Sequence, residues 1–185
     1  MPDYFSGRGD DGWTSLLGDE RVPKDSVRPS AYGAVDEASA VLGVARSTTE
    51  SADLGDVILT IQRDLYGLMA ELAATPETAQ TFRVIDETRV AWLETQVQRF
   101  GDQVDMPKDF VVGGDTTGGA YFDLARTIVR RAERAVSGLI RSGEVENAQL
   151  LRYLNRLSSL CFVLALWENQ RSGVDRPSLA KGGDR

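Results

Sequence analysis

Ala125-Arg126-Thr127-Ile128-Val129-Arg130-Arg131-Ala132-Glu133-Arg134 reads as a helix that is basic on one side and carries a carboxylate among its arginines. Further on, Tyr153-Leu154-Asn155-Arg156-Leu157-Ser158 offers an amide and another guanidinium from a second helix. Guanidinium groups removed from water need anions, and their fork geometry matches carboxylates and phosphates. Two helices converging with such groups suggest a polyphosphate site inside a helix bundle. From spacing alone a second account stays open. Arg126, Arg130, Glu133 and Arg134 lie four, three and one residues apart, so they share one side of the helix and could pair with Glu133 and Asp123 as a solvated face. Such exposed pairs do little for stability.

The same helical period extends outward from these two stretches. Leu150, Leu154, Leu157, Cys161 and Leu164 recur at helical spacing, as do Ile58, Ile61, Leu65, Leu68 and Leu72. Thr75-Pro76 closes the latter run. Another helix is expected over residues 85–100, with Trp92, Leu93 and Val97 on its apolar face and Gly101 as its stop. The first helix is expected from residue 29 or 30 to about 46, and the arginine-bearing helix from 117–120 to about 141. Residues 1–28 show no helical period and read as an irregular loop. Residues 172–185 read as a disordered tail. No strand pattern competes. The expected fold is all-α, a five-helix bundle over residues 29–171 with an N-terminal ligand-binding loop in front, forming one domain.

Composition narrows the chemistry. The 185 residues suit one domain with a sizeable core. A net charge of −7 disfavours generic binding to nucleic acid or anionic membranes. No apolar run looks long enough to span a bilayer and no signal core opens the chain, so the expected location is cytoplasmic. The single cysteine, Cys161, sits in an apolar helical run and reads as a small core residue. The chain contains no histidine. Histidine-based triads and histidine zinc sites are therefore excluded.

Three further stretches leave alternatives open. Gly7-Arg8-Gly9-Asp10-Asp11-Gly12-Trp13-Thr14 could wrap a phosphate chain with backbone N–H groups or be a loose terminus. It is not a Walker A loop, since no Gly-Lys-Ser/Thr ends it. Asp10 or Asp11 could help hold a phosphate-bound magnesium ion, usually through water. Asp36 and Glu37 in the first helix could complement the helix dipole or meet an arginine of another subunit. Phe110-Val111-Val112-Gly113-Gly114 could be core filler or an apolar plug beside a flat cofactor.

Taken together, these segments resemble the PduO-type ATP:cob(I)alamin adenosyltransferases. The resemblance is carried by Gly9-Asp10-Asp11-Gly12 with Thr14-Ser15-Leu16, by Arg21-Val22-Pro23-Lys24-Asp25, and by Arg28 with Ala31-Tyr32-Gly33-Ala34-Val35-Asp36-Glu37. It continues through Ile61-Gln62-Arg63-Asp64-Leu65, Phe110-Val111-Val112-Gly113-Gly114, the arginine-rich helix and Tyr153-Leu154-Asn155-Arg156-Leu157-Ser158. These run in the family's order over nearly the whole chain, which favours a ligand site over the solvated face.

The resemblance implies a homotrimer with active sites between subunits. It implies transfer of the 5′-deoxyadenosyl group of ATP to cob(I)alamin, with ATP-bound Mg2+ and release of triphosphate. The N-terminal loop, through Ser6, Arg8, Gly9 and Asp10, would hold the triphosphate with Lys24. Arg130, Glu133 and Asn155 would bind ATP from the bundle. Asp36 would pair with Arg126 across the interface, and with Arg130 these form the catalytic set. Phe110 would occupy the lower face of the corrin ring, and Ser159 would line the cobalamin site. A cobalamin reductase and an adenosylcobalamin-dependent enzyme would be its protein partners.

The chain departs from the family pattern at four places. The loop reads Ser6-Gly7-Arg8 where Thr, Lys or Arg, and Thr are usual. Val112 replaces proline, Asp123 stands where histidine is common, and Ser159 replaces aspartate. These departures define a second reading, a catalytically altered or inactive member that binds a corrinoid, another tetrapyrrole or a nucleotide. A third, a helical interaction module without a small ligand, predicts no common pocket for the polar residues.

Overall fold

The computed structural model describes residues 7–181. Five helices carry the fold: α1 (Val27–Thr48), α2 (Ala52–Ala73), α3 (Glu87–Gly101), α4 (Thr117–Arg141) and α5 (Ala148–Arg171). α5 packs against α4 and α3, and α1 packs against α4 and α2. The main packing contacts thus run α2–α1–α4–α5–α3, and Arg89 of α3 pairs with Asp64 of α2, so the first and last helices of that series also meet.

The expected apolar rows form the core. Leu42, Ile58, Ile61, Leu65, Leu68, Leu72, Phe122, Val129, Leu154, Leu157 and Cys161 are all fully buried. Burying each large aliphatic side chain contributes about 1.5–3 kcal/mol. Polar residues fix where the helices start. Ser51 accepts from Leu54 N–H at 3.3 Å, Asp86 from Arg89 N–H at 2.9 Å, and Thr116 from Gly119 N–H at 3.0 Å. α1 begins at Val27, slightly ahead of the expected start, because Pro29 falls in its first turn, where a missing N–H removes no helical bond.

Three expectations are corrected. The N-terminal segment contains a short antiparallel hairpin, β1 (Trp13–Ser15) paired with β2 (Arg21–Pro23). It is tied to the bundle by buried Leu16 and by Leu17 N–H donating to Ala73 O at 2.7 Å. The described part of the tail, residues 172–181, does not run free: Val112 N–H donates to Ser178 O and Ala180 N–H to Phe110 O, both at 2.7 Å, while residues 182–185 lie outside the described residues. Finally, α5 is long and apolar enough to cross a membrane by length and composition. However, 67% of its apolar window is buried inside the bundle, where it serves as the central core helix.

Two polar knots lock one end of the bundle. Arg28 donates to the carbonyls of Leu72 and Ala74 at 3.0 Å and pairs with Glu144 at 3.2 Å, joining α1, the end of α2 and the α4–α5 connection. Asn147, before α5, donates to Glu71 at 3.1 Å and to Ile85 O at 3.0 Å.

Candidate functional site

α4 repeats its polar residues every three or four positions beside a buried apolar row, so Arg126 and Arg130 emerge together at the edge of the core. They open into a cleft of about 820 Å3 whose walls also include Phe110, Asp123, Ser159 and Phe162. Phe110 is 86% exposed, an aromatic ring left at the cleft with almost none of its surface covered. Four of the expected site residues, Phe110, Arg126, Arg130 and Ser159, thus meet in one place.

Arg126 Nε lies 2.9 Å from Asp123 Oδ1 within α4. That intrahelical pair is one the spacing had offered. Asp36 is exposed on α1, and the neighbouring Glu37 pairs with Arg131 of α4. Beneath the cleft, Cys161 is fully buried, and burial pushes its thiol up to about 12 despite the opposing field of Arg126. A thiol held protonated in this way is no nucleophile.

A second cleft, also about 820 Å3, is enclosed by the N-terminal loop and hairpin. Arg8, Asp10, Asp11, Trp13, Arg21 and Lys24 line it. Gly9 has φ +100°, and a Cβ there would stand 3.1 Å from Lys24 Nζ, so glycine lets the ammonium approach the loop backbone. Lys24 N–H donates to Gly12 O at 2.9 Å, which fastens the loop to β2. Asp11 accepts from Trp13 N–H at 3.1 Å and pairs with Arg21 at 3.0 Å. The Trp13 amide, then Arg21, hold its carboxyl below the usual carboxylate range. Both Asp10 and Asp11 are exposed, but Asp11 is engaged by Trp13 and Arg21. No cluster of three potential metal ligands occurs among the described residues.

Glu133 and Asn155 form a third group. Asn155 Nδ2 donates to Glu133 Oε1 at 2.8 Å, and Arg156 Nη1 donates to Asn155 Oδ1 at 2.8 Å. Arg156 in turn pairs with Glu94 of α3 at 2.8 Å. Glu133 follows Arg130 by one helical turn, so this group adjoins the arginine cleft along α4.

Within one chain the loop cleft and the arginine cleft are lined by separate residues. Ser6 lies outside the described residues. The sequence reading missed the contribution of the tail, whose Ala180 and Lys181 also line the arginine cleft. Trp13, inside the glycine-rich stretch, and Arg21, inside the segment that carries the resemblance, are walls of the loop cleft to which the sequence reading gave no individual role. An indole and a guanidinium beside a glycine-rich loop were the available signal.

Comparison with known proteins accords with this geometry. Residues 4–168 match the family model described as cobalamin adenosyltransferase. The chain is 36% identical over 174 residues to a corrinoid adenosyltransferase of Bacillus subtilis, covering 92% of this chain and 88% of that protein. It is 35% identical over 171 residues to one from Citrobacter freundii, covering 92% and 97% respectively. Among solved structures, a variant PduO-type ATP:corrinoid adenosyltransferase from Lactobacillus reuteri, complexed with cobalamin and ATP, superposes with a TM-score of 0.88 at 29% identity. That match covers 96% of this chain and 99% of the other. The chain belongs to the cobalamin adenosyltransferase family.

Proposed function

We propose that this protein transfers the 5′-deoxyadenosyl group of ATP to cob(I)alamin, giving adenosylcobalamin and triphosphate. The observation that carries the reading is the meeting of Phe110, Arg126, Arg130 and Ser159 in one cleft large enough for a flat cofactor edge. Relatives named corrinoid adenosyltransferases, and a similar structure that binds both cobalamin and ATP, support it.

The Co(I) centre supplies the electron pair, so the protein needs no activated nucleophile. That pair forms the Co–C5′ bond as the C5′–O5′ bond breaks, and the electrons leave on triphosphate. The chain's task is to align C5′ with cobalt and to stabilise the growing negative charge. Arg130 serves from α4. Arg8, Lys24 and the backbone of Gly9 and Asp10 serve from the loop. Glu133 and Asn155 orient the nucleotide beside Arg130. Phe110 has no lone pair to offer a metal, so placed against the lower corrin face it excludes an axial ligand.

The loop and arginine clefts are separate within one chain; in the homotrimer that the family resemblance implies, one subunit's loop would meet its neighbour's α4. Asp36 would then reach Arg126 across the interface. Mg2+ would arrive on the triphosphate, with Asp10 nearest to it, since the described residues provide no acidic cage of their own. A cytoplasmic setting suits a Co(I) substrate, which oxidants destroy.

The test is stoichiometric. Adenosylcobalamin and intact triphosphate should form in equal amounts from ATP and cob(I)alamin. Release of pyrophosphate and phosphate without an adenosylated corrinoid would contradict the reaction.

A further inference from the structure

The tail of the chain runs back along the segment that carries Phe110. Val111 and Leu179 are antiparallel bridge partners. Main-chain bonds flank them on both sides, Val112 N–H to Ser178 O and Ala180 N–H to Phe110 O, each 2.7 Å. Ser178 then clasps Asp115 twice, through its N–H at 3.0 Å and its hydroxyl at 2.7 Å. Gly113 in the same segment lies so close to the Asp123 side chain of α4 that a Cβ there would stand 2.5 Å from its Oδ2. The Phe110 segment is therefore gripped between α4 and the tail.

Phe110 itself is 86% exposed. Side-chain packing does not hold it, so its position is set by its main chain, and that main chain is bonded to the tail. Ala180 and Lys181 continue from these bonds into the wall of the same cleft. The family match ends at residue 168, whereas the strap is formed by residues 178–181.

We propose that this tail is a strap that positions Phe110 for corrinoid binding, with Ser178 and Asp115 as its positioning residues. The proposal rests on the adenosyltransferase reading. Hydrogen bonds to a carboxylate are among the stronger ones in proteins, and their loss here loosens the Phe110 segment without touching the core. The effect falls chiefly on the corrinoid: the strap's bonds hold the Phe110 segment, whereas Arg130 is fixed by α4, which those bonds do not involve, and the loop cleft shares no residue with the strap.

The experiment compares wild-type protein with Ser178→Ala, Asp115→Asn and Ala180→Pro, the last removing the N–H that binds Phe110 O. Ser178→Thr, which keeps the hydroxyl, serves as the rescue variant. Binding of cob(II)alamin is titrated with and without ATP and magnesium, and electron paramagnetic resonance reads the four-coordinate fraction. The three disruptive variants should weaken cob(II)alamin binding roughly tenfold and lower the four-coordinate fraction. Ser178→Thr should restore both, and ATP affinity should stay within about twofold. Unchanged corrinoid binding and an unchanged four-coordinate fraction in all three overturn the proposal. So does an equal loss of ATP and corrinoid affinity, which marks a general scaffold effect. Wild-type protein that binds cob(II)alamin but makes no product faults the transfer reaction alone, and the strap is still read by binding. Wild-type protein that binds no cob(II)alamin overturns both.

Discussion

Asn155 of α5 donates its side-chain amide to the carboxylate of Glu133 on α4 at 2.8 Å. Its carbonyl oxygen accepts from Arg156 at 2.8 Å, and Arg156 in turn reaches Glu94 on α3. Three helices are thereby linked through one amide, one turn along α4 from Arg130.

The first prediction concerns that link. Asn155→Ala leaves the half-buried Glu133 carboxylate without its amide donor, at a cost of about 1 kcal/mol in unfolding free energy. The larger effect should fall on ATP, whose KM rises while the KM for cob(I)alamin changes little. Steady-state kinetics with each substrate varied checks this. Equal changes in both constants would contradict nucleotide binding by Asn155.

Phe110 separates stability from function. Because its ring is almost wholly exposed, Phe110→Ala should alter unfolding free energy by less than about 0.5 kcal/mol. Formation of four-coordinate cob(II)alamin in the presence of ATP should nevertheless collapse. A variant with the wild-type resonance spectrum would remove Phe110 from the lower corrin face.

The proposed interface can be tested by charge. Within one chain Arg126 pairs with Asp123, while Asp36 is exposed on α1. If Asp36 meets Arg126 of a neighbour, Asp36→Arg or Arg126→Asp should shift the assembly toward monomer in sedimentation analysis, and the double swap should restore it. Normal assembly in both single variants would count against the contact.

Glu71 carries a pH prediction. Its carboxyl is buried, and burial raises its pKa above the ordinary 4.5 against the opposing pull of Asn147 and Arg83. The folded state therefore binds this proton more tightly than the unfolded chain. The associated stability is fully present below the unfolded pKa and is lost as pH rises through the folded one. Glu71→Gln should raise the melting temperature near neutral pH. The difference from wild type should shrink toward about pH 4, where the wild-type carboxyl is protonated. A gap independent of pH would contradict this, since it would mean that Asn147 and Arg83 fully offset the burial.

Much of the fold could be read from the chain because helices are local. The rows Ile58 to Leu72 and Leu150 to Leu164 announce buried faces at spacings the backbone imposes, and both are buried. The hairpin could not be read that way. Its strands are three residues each, too short for an alternating pattern, and its place depends on Leu17 meeting the end of α2. The tail escaped for the same reason: Ser178 finds Asp115, 63 residues away in sequence, through tertiary contact that no local pattern records. At the site, helical spacing put Arg126 beside Arg130 and also offered the Asp123 pair. The arrival of Phe110 and Ser159 in the same cleft was implied by resemblance, since spacing within separate segments does not say which segments converge.

The central claim is transfer of an adenosyl group to cobalt at the arginine cleft. The most direct test mixes chemically reduced cob(I)alamin, ATP and magnesium with the protein under anaerobic conditions and follows the optical spectrum. Wild-type protein should form adenosylcobalamin over many turnovers. Arg130→Ala, altered at an exposed position, should fold normally yet lose about a hundredfold or more in kcat/KM for ATP. No adenosylcobalamin from well-folded wild-type protein, or undiminished turnover by Arg130→Ala, would contradict the account.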